Sequence, residues 1–393
     1  MTAEDARIDE SGAHAVTARI AAGYNAVPYN PNGAGSPGLD LTYLYGVAAL
    51  YGDLPLRRDV SVLDLGCGGG GQILRAAAAT SGRIVGIDIS RTAVEEATAR
   101  CASLGPRCVI RQADLLDLAP ESLGVFDVIY LVGVYYVVPP PAQARLIEIL
   151  SRCLAPGGVA LISYYSPDIW RSIDTLRGSI RSAIDMTAPP RLRIDAARRH
   201  VADLVRTGRS GISANILDHA RACDEPTFFH EMLGELLAPV TTAGLEALLA
   251  PAGIHFLSWI FAGPFVHNET PAARAAAADH MPGGYHYAVF GKTPGFGGGA
   301  WRHVRWETRF RRAGTSSFGL AVFADPTSGQ ALEIPSSATA GLIERLAAGP
   351  VPWTDLQALL EAGPAGKAYT ASVRRDFLTL WQRGAINPLG TEA

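Results

Sequence analysis

Lysine is nearly absent from this chain: Lys292 and Lys367 stand alone among 34 basic residues, and the rest are arginine. The 37 acidic residues bring the net charge to −3, so no global positive field exists to draw in nucleic acid or an anionic membrane surface. Neither partner is expected. Cysteine is scarce and scattered: Cys67, Cys101, Cys108, Cys153 and Cys223 form no C-x-x-C pair and no Cys/His cluster at zinc-ligand spacing, so no metal site is expected and the thiols read as reduced and buried. No apolar run reaches the roughly eighteen residues a membrane span requires, and the first ten residues are polar and acidic rather than a secretory leader. A cytoplasmic protein is the expectation.

What is abundant is apolar surface and glycine. With 48% hydrophobic residues in 393, the chain can build one large domain and a smaller one, each with a core. The 42 glycines concentrate in one telling place. Val62-Leu63-Asp64-Leu65 reads as a short buried strand that runs into Gly66-Cys67-Gly68-Gly69-Gly70-Gly71, and a helix opens over 72–78. Such a turn lets backbone N–H groups approach a ligand with no Cβ in the way, and the helix N-terminus behind it favours negative charge.

The glycines alone leave the ligand open. Gly66, Gly68 and Gly71 satisfy the dinucleotide pattern G-x-G-x-x-G. Asp64, Gly66, Gly68 and Gly70 equally satisfy D-x-G-x-G-x-G, which resembles the first motif of class I S-adenosylmethionine (SAM) methyltransferases. A tight strand-to-helix turn with no ligand is the third reading.

Short β-branched runs at 61–65, 83–87, 108–112, 125–132 and 158–164 alternate with helical patterns, which predicts a doubly wound, mostly parallel α/β sheet. Ser90 should cap a helix over 91–104, and another should span 140–154. Asp88, followed by Ile89, stands about 20 residues past the glycines, where a carboxylate reaches ribose hydroxyls. Asp114 and Leu115 end the third strand on the same edge. Asp88 alone suits NAD; Asp114 resembles the methyltransferase residue beside the adenine amine.

The carboxyl part of the sheet favours the methyltransferase. A helix over 241–250, a strand over 254–261 and a closing strand over 285–292 resemble the end of that family's sheet, whose last strand is antiparallel. This makes 1–165 with 238–293 the SAM-binding domain and 166–237 a helical insertion, with helices at 169–183, 196–207 and 212–222, acting as a lid over the substrate. At the amino end, a helix over 1–22 should precede an aromatic flap, Gly23 to Tyr29, and a helix over 39–51. Residues 300–393 read as a smaller module. It starts with an alternating β-hairpin over 303–323 that turns at Gly314-Thr315-Ser316, and continues into helices at 338–348, 354–361 and 368–383 of winged-helix type.

Three further segments resemble a bacterial subgroup of class I methyltransferases that carry a methyltransferase regulatory domain and include protein lysine methyltransferases. They are Tyr24-Asn25-Ala26-Val27-Pro28-Tyr29, Gly133-Val134-Tyr135-Tyr136-Val137-Val138-Pro139-Pro140 and Glu225-Pro226-Thr227-Phe228-Phe229-His230-Glu231. The resemblance covers about residues 18 to 262 and departs from the family at Val132, where a histidine is common, and at Tyr136-Val137, where Ser-Trp is common. It implies SAM as cofactor and S-adenosylhomocysteine (SAH) as product. Tyr24, Asp64, Gly66, Cys67, Gly68, Asp88, Ile89, Asp114, Leu115, Val132 and Gly133 would bind the cofactor. Tyr29, Tyr136, Tyr164 and Tyr165 would meet the substrate, and Tyr135 and His230 are the candidate catalytic groups.

The expected reaction moves a methyl group to an oxygen or nitrogen of a peptide, a protein side chain or a peptide-like natural product. Two alternatives stand beside it. One is a small-molecule methyltransferase of secondary metabolism whose C-terminal module serves homodimerisation. The other is a SAM-sensing regulatory protein without turnover.

Overall fold

The structure, a computed structural model, describes residues 9–29, 59–208, 211–259, 271–279 and 285–292, together with shorter stretches between 305 and 389. Its centre is a seven-stranded sheet of β1 (Val62–Leu65), β2 (Ile84–Asp88), β3 (Cys108–Gln112), β4 (Phe126–Leu131), β5 (Leu154–Tyr165), β6 (Ile254–Trp259) and β7 (Tyr285–Lys292). The order across the sheet is β3-β2-β1-β4-β5-β7-β6. The first five strands pair in parallel, whereas β7 runs antiparallel to both β5 and β6. This is the doubly wound, mostly parallel sheet that the pattern predicted, with the antiparallel strand that the resemblance to class I methyltransferases implied. β1 is buried along its whole length, as a strand covered on both faces must be, and so it reads as an unbroken apolar run.

Strand order reverses between β1 and β4, and a crevice opens at the carboxyl ends of the strands at such a switch point. Helices α2 (Gly71–Ala79), α3 (Arg91–Cys101) and α4 (Pro140–Cys153) connect the strands. Ser90 does cap α3, its hydroxyl accepting from Ala93 N at 3.2 Å. The helix predicted over 91–104 ends sooner, at Cys101, and a tighter 3₁₀ run, Ala102–Arg107, takes over. Pro106 cannot donate a helical hydrogen bond, and Gly105 adopts φ +62°.

The amino-terminal helix is also displaced from its expected limits. It is α1, Glu10–Ala26, so Tyr24 sits on its last turn rather than in a flap. Gly23 reads as a break in sequence, yet a Cβ there would stand 3.6 Å from the Phe229 ring. The glycine therefore lies inside α1, beside Phe229 at ordinary contact distance, and does not mark where the helix stops.

After β5 come α5 (Pro167–Ala183), α6 (Pro190–Thr207) and α7 (Ala214–Ala222). The second of these begins at Pro190 rather than at 196, because proline is preorganised for the first helical position. A single turn, α8 (Glu225–Phe228), then runs into a wider π-type turn, Phe229–Leu233. Helices α9 (Thr242–Leu249) and α10 (Pro271–Asp279) flank β6. Among the described residues no helix is long and apolar enough to cross a membrane.

Beyond 300 the predicted hairpin is rearranged. β8 (Arg305–Glu307) pairs with β12 (Val351–Pro352) and β13 (Asn387–Leu389), while β9 (Arg311–Thr315) pairs with β10 (Ala321–Ala324), which pairs with β11 (Ala331–Ile334). Of the alternating stretch, Arg305–Glu307 form β8 and Arg311 opens β9 in another sheet, while Thr308 and Phe310 lie in neither. Phe310 N donates to Thr308 Oγ1 at 3.1 Å, a local side-chain turn that competes with strand pairing and ends β8. Gly314 and Thr315, expected in the turn, lie in β9. The helix expected at 338–348 is α11, Ser337–Ala347. The helices expected over 39–51, 354–361 and 368–383, and the last two residues of the strand expected over 254–261, fall outside the described residues.

Candidate functional site

A cavity of about 490 Å³ opens at the carboxyl edge of the sheet, within the range of ordinary ligand sites. One end is built by the glycine turn. Gly66, Gly68 and Gly70 have φ of +79°, +51° and +79°, values that L side chains rarely adopt. A Cβ on Gly66 would meet Val134 Cγ2 at 2.3 Å, whereas one on Gly68 would meet nothing within 4 Å. Gly66 is a packing requirement, and Gly68 presents bare backbone to the cavity. Arg100 Nη1 secures the turn by donating to Gly69 O at 2.7 Å.

Asp88 joins the turn to the next strand. Its Oδ2 accepts from Gly68 N and its Oδ1 from Ser90 N, both at 2.8 Å. Burial pushes its carboxyl up, and the backbone donors at Ser90, Gly68 and Ile89 oppose that shift. Asp114 stands one strand further out, with Oδ1 accepting from Leu116 N at 3.0 Å and Oδ2 bonded to the Thr17 hydroxyl of α1. Asn25 Oδ1 accepts from Ser90 Oγ at 2.8 Å and Thr92 N at 3.2 Å. These bonds tie the end of α1 to the start of α3 and hold the amino-terminal helix across the cavity mouth.

Of the residues picked out in sequence, Tyr24, Gly66, Gly68, Asp88, Ile89, Asp114, Leu115, Val132 and Gly133 line this cavity, as do Tyr29, Tyr136, Tyr165 and His230. Four do not. Cys67 is buried beneath the turn, its thiol pushed up first by desolvation. Tyr135 is buried, in a 3₁₀ turn whose backbone oxygen accepts from Gln143. Tyr164 follows the two-residue strand period to the opposite face from Tyr165, and its hydroxyl bonds Thr242 Oγ1 at 2.6 Å. Asp64 is buried under the turn with Oδ2 lacking a hydrogen-bond partner.

That orphaned oxygen has a measurable consequence. Burial, with Asp88 nearby, pushes Asp64 from 3.8 up to about 7. A carboxyl whose folded value exceeds its unfolded value takes up a proton on folding, so the stability it allows is present at low pH and lost as pH rises from about 4 to about 7. Asp64→Asn is expected to flatten that decline and raise the Tm of the unliganded protein by several degrees at pH 8, by less at pH 5 and hardly at all at pH 4, as calorimetric scans would show.

The other half of the cavity is aromatic. Tyr24, Tyr29, Tyr136, Tyr165, Tyr285 and Tyr287 line it. Tyr24 stacks on His230 with centroids 4.0 Å apart. The His230 Nε2–H donates to Val27 O at 2.7 Å, and desolvation holds its pKa below the usual histidine value, so the ring is neutral with its lone pair on Nδ1. Tyr285 Oη lies 2.8 Å from Ser163 Oγ, which in turn accepts from Gly133 N at 2.8 Å, and Tyr136 Oη lies 3.1 Å from Tyr285 Oη. Sequence reasoning passed over Tyr285, Glu231 and His219. The first arrives only through the antiparallel register Tyr165↔Tyr285. Glu231 was visible as the residue after His230.

Residues 62–158 match the family described as methyltransferase domain. The chain carries a class I SAM-dependent methyltransferase domain, and SAM is the cofactor of that class. The residues present fit it: a bare-backbone cradle at one side, and carboxylates at the ends of β2 and β3 on the other. PKMT2 from Rickettsia typhi, in a structure with AdoHcy, shares the fold over 93% of this chain and 78% of its own, with a TM-score of 0.61 at 18% identity. The protein RP789 of Rickettsia prowazekii is 26% identical over 237 residues, 54% of this chain and 42% of its own length. The 27-O-demethylrifamycin SV methyltransferase of Amycolatopsis mediterranei is 36% identical over 111 residues, 28% of this chain and 40% of its own length. The chain thus spans less than half the length of either relative.

Proposed function

We propose that this protein transfers the methyl group of SAM to an amine nitrogen on a peptide or protein side chain. The observation that carries the reading is the composition of the cavity beyond Gly133: besides Tyr24, five tyrosines (Tyr29, Tyr136, Tyr165, Tyr285 and Tyr287) and the carboxylate Glu231 line it. Ring faces and a carboxylate attract an ammonium group, whereas a carboxylate acceptor would be repelled.

SAM bound here supplies an electrophilic methyl on a sulfonium sulfur. The chain's own task is to hold the nucleophile about 3 Å from that methyl and to exclude water. Gly66 and Gly68 would face the methionine portion, Asp88 with Ile89 the ribose, and Asp114 with Leu115 the adenine. Tyr24 would close over the cofactor from α1. Val132, Gly133 and Tyr136 would flank the reacting centre, and Tyr29 and Tyr165 would guide the acceptor. His230, anchored through Nε2 on Val27 O, would fix the Tyr24 ring.

The relative that methylates a demethylrifamycin favours a small-molecule acceptor instead. Two measurements separate the readings. Titration calorimetry should give heat with SAM and SAH and none with NAD. Incubation with methyl-labelled SAM should then label an array of lysine-containing peptides and leave phenolic small molecules unlabelled; the reverse pattern would overturn the amine reading.

A further inference from the structure

The acceptor half of the cavity contains one hydrogen-bonded chain that leads from its wall towards the protein exterior. Tyr165, at the end of β5, donates its hydroxyl to Glu231 Oε1, and Glu231 Oε2 lies 2.7 Å from His219 Nε2. All three residues line the cavity. The Glu231 side chain is 13% exposed and that of His219 43%, so the chain runs from an enclosed carboxylate to a solvent-facing imidazole. The π-type turn carrying Glu231 is pinned from α5: Arg177 donates to the Glu231 backbone oxygen through Nη1 and to Gly234 O, at 2.7 Å, through Nη2. Insertions of this type recur at functional sites.

We propose that Glu231 takes the proton of the acceptor through the Tyr165 hydroxyl, and that His219 positions Glu231 and connects it to solvent. The proposal rests on the amine reading above. An amine arrives as R–NH₃⁺ and cannot attack until one proton leaves. That proton passes to Tyr165 Oη as the Tyr165 hydroxyl proton passes to Glu231 Oε1. The result is R–NH₂ with its lone pair free, an unchanged phenol and a neutral glutamic acid, which returns the proton to solvent past His219 once product has left.

The other acids lining the cavity, Asp88, Glu96 and Asp114, stand on β2, on α3 and after β3, at the nucleoside end. Asp88 and Asp114 are further committed to backbone N–H groups. The Glu231 charge acts on titratable groups from several elements: Tyr24 and Tyr29 from the amino-terminal segment, Tyr165 from β5, Arg177 from α5, His219 from α7, Cys223 after it, the adjacent His230, and Tyr285 from β7.

The test uses the full chain and a lysine peptide that it methylates, with SAH release followed from pH 6.5 to 10 and SAH affinity measured by calorimetry. Glu231→Gln and Tyr165→Phe are each expected to lower kcat at pH 7 by about 100-fold or more, the range of general-base contributions, with SAH affinity within about twofold of wild type. The deficit should shrink as pH approaches the amine's own ionisation near ~10.4. His219→Gln should cost about tenfold and move the acid limb of the profile, which a purely packing role would not do. A Glu231→Gln protein within threefold of wild type at pH 7, or one equally impaired at every pH, overturns the proton path. Absence of SAH binding by the wild-type chain would instead overturn the methyltransferase reading itself.

Discussion

Replacing Asp88 by alanine should reduce SAH affinity by about 10²–10⁴-fold. The side chain would meet two ribose hydroxyls as a charged acceptor, and each such bond contributes about 1.5–3 kcal/mol. It does a second job in the free protein, because its two oxygens accept from Gly68 N and Ser90 N and so fix the glycine turn against the start of α3. Alanine removes both roles. Asp88→Asn keeps one acceptor oxygen and should retain more of the turn, so its loss should be smaller, of order tenfold. Calorimetric titration of SAH into the three proteins reads the series directly. If Asp88→Ala bound SAH as tightly as wild type, the nucleoside would have to lie elsewhere in the cavity and the cofactor arrangement would fail.

The contrast between the two halves of the cavity explains what could be read in advance. The nucleoside half is local chemistry: a strand, a glycine turn and a helix within 62–79, then an acid at the end of each of the next two strands. Parallel α/β topology places strand ends together by rule, so Gly66, Gly68, Asp88 and Asp114 could be placed at the cavity without coordinates, whereas Asp64, picked out with them, lies buried beneath the turn. The acceptor half depends on long-range pairing. Tyr285 reaches Ser163 only because β7 enters antiparallel beside β5 in one particular register. Tyr164 and Tyr165 are equivalent as letters, and only strand parity, fixed by that sheet, separates a wall residue from one packed on Thr242. His230 carried the chemical signal for a base and lines the cavity, but the pattern did not single out Glu231 beside it, which lines the same wall. Gly23 misled in the same way, since a lone glycine in the pattern cannot distinguish a helix end from a helix interior.

Deleting residues 300–393 is expected to cost the protein its fold rather than only its larger substrates. Tyr130, Leu161, Leu257 and Val289, on β4, β5, β6 and β7, are each fully buried. They belong to one apolar cluster with Phe310, Phe323, Leu332, Ile334, Ile343, Leu346 and Leu380 of the C-terminal stretch. Exposing a side chain of this size forfeits about 1.5–3 kcal/mol, so each one uncovered by the deletion removes a large share of the roughly 5–15 kcal/mol stability of a typical domain. The truncated chain should therefore lose its cooperative thermal transition, bind an apolar dye and elute as aggregate on gel filtration. A milder change separates packing from catalysis: Phe323→Ala, in a fully buried position of β10, should lower stability by about 3–5 kcal/mol while leaving SAH affinity unchanged at a temperature where the variant is folded. A soluble 1–299 fragment with a wild-type Tm would show that the C-terminal stretch does not share the sheet's core, and its effect on turnover of short and long peptides could then be read as substrate recognition.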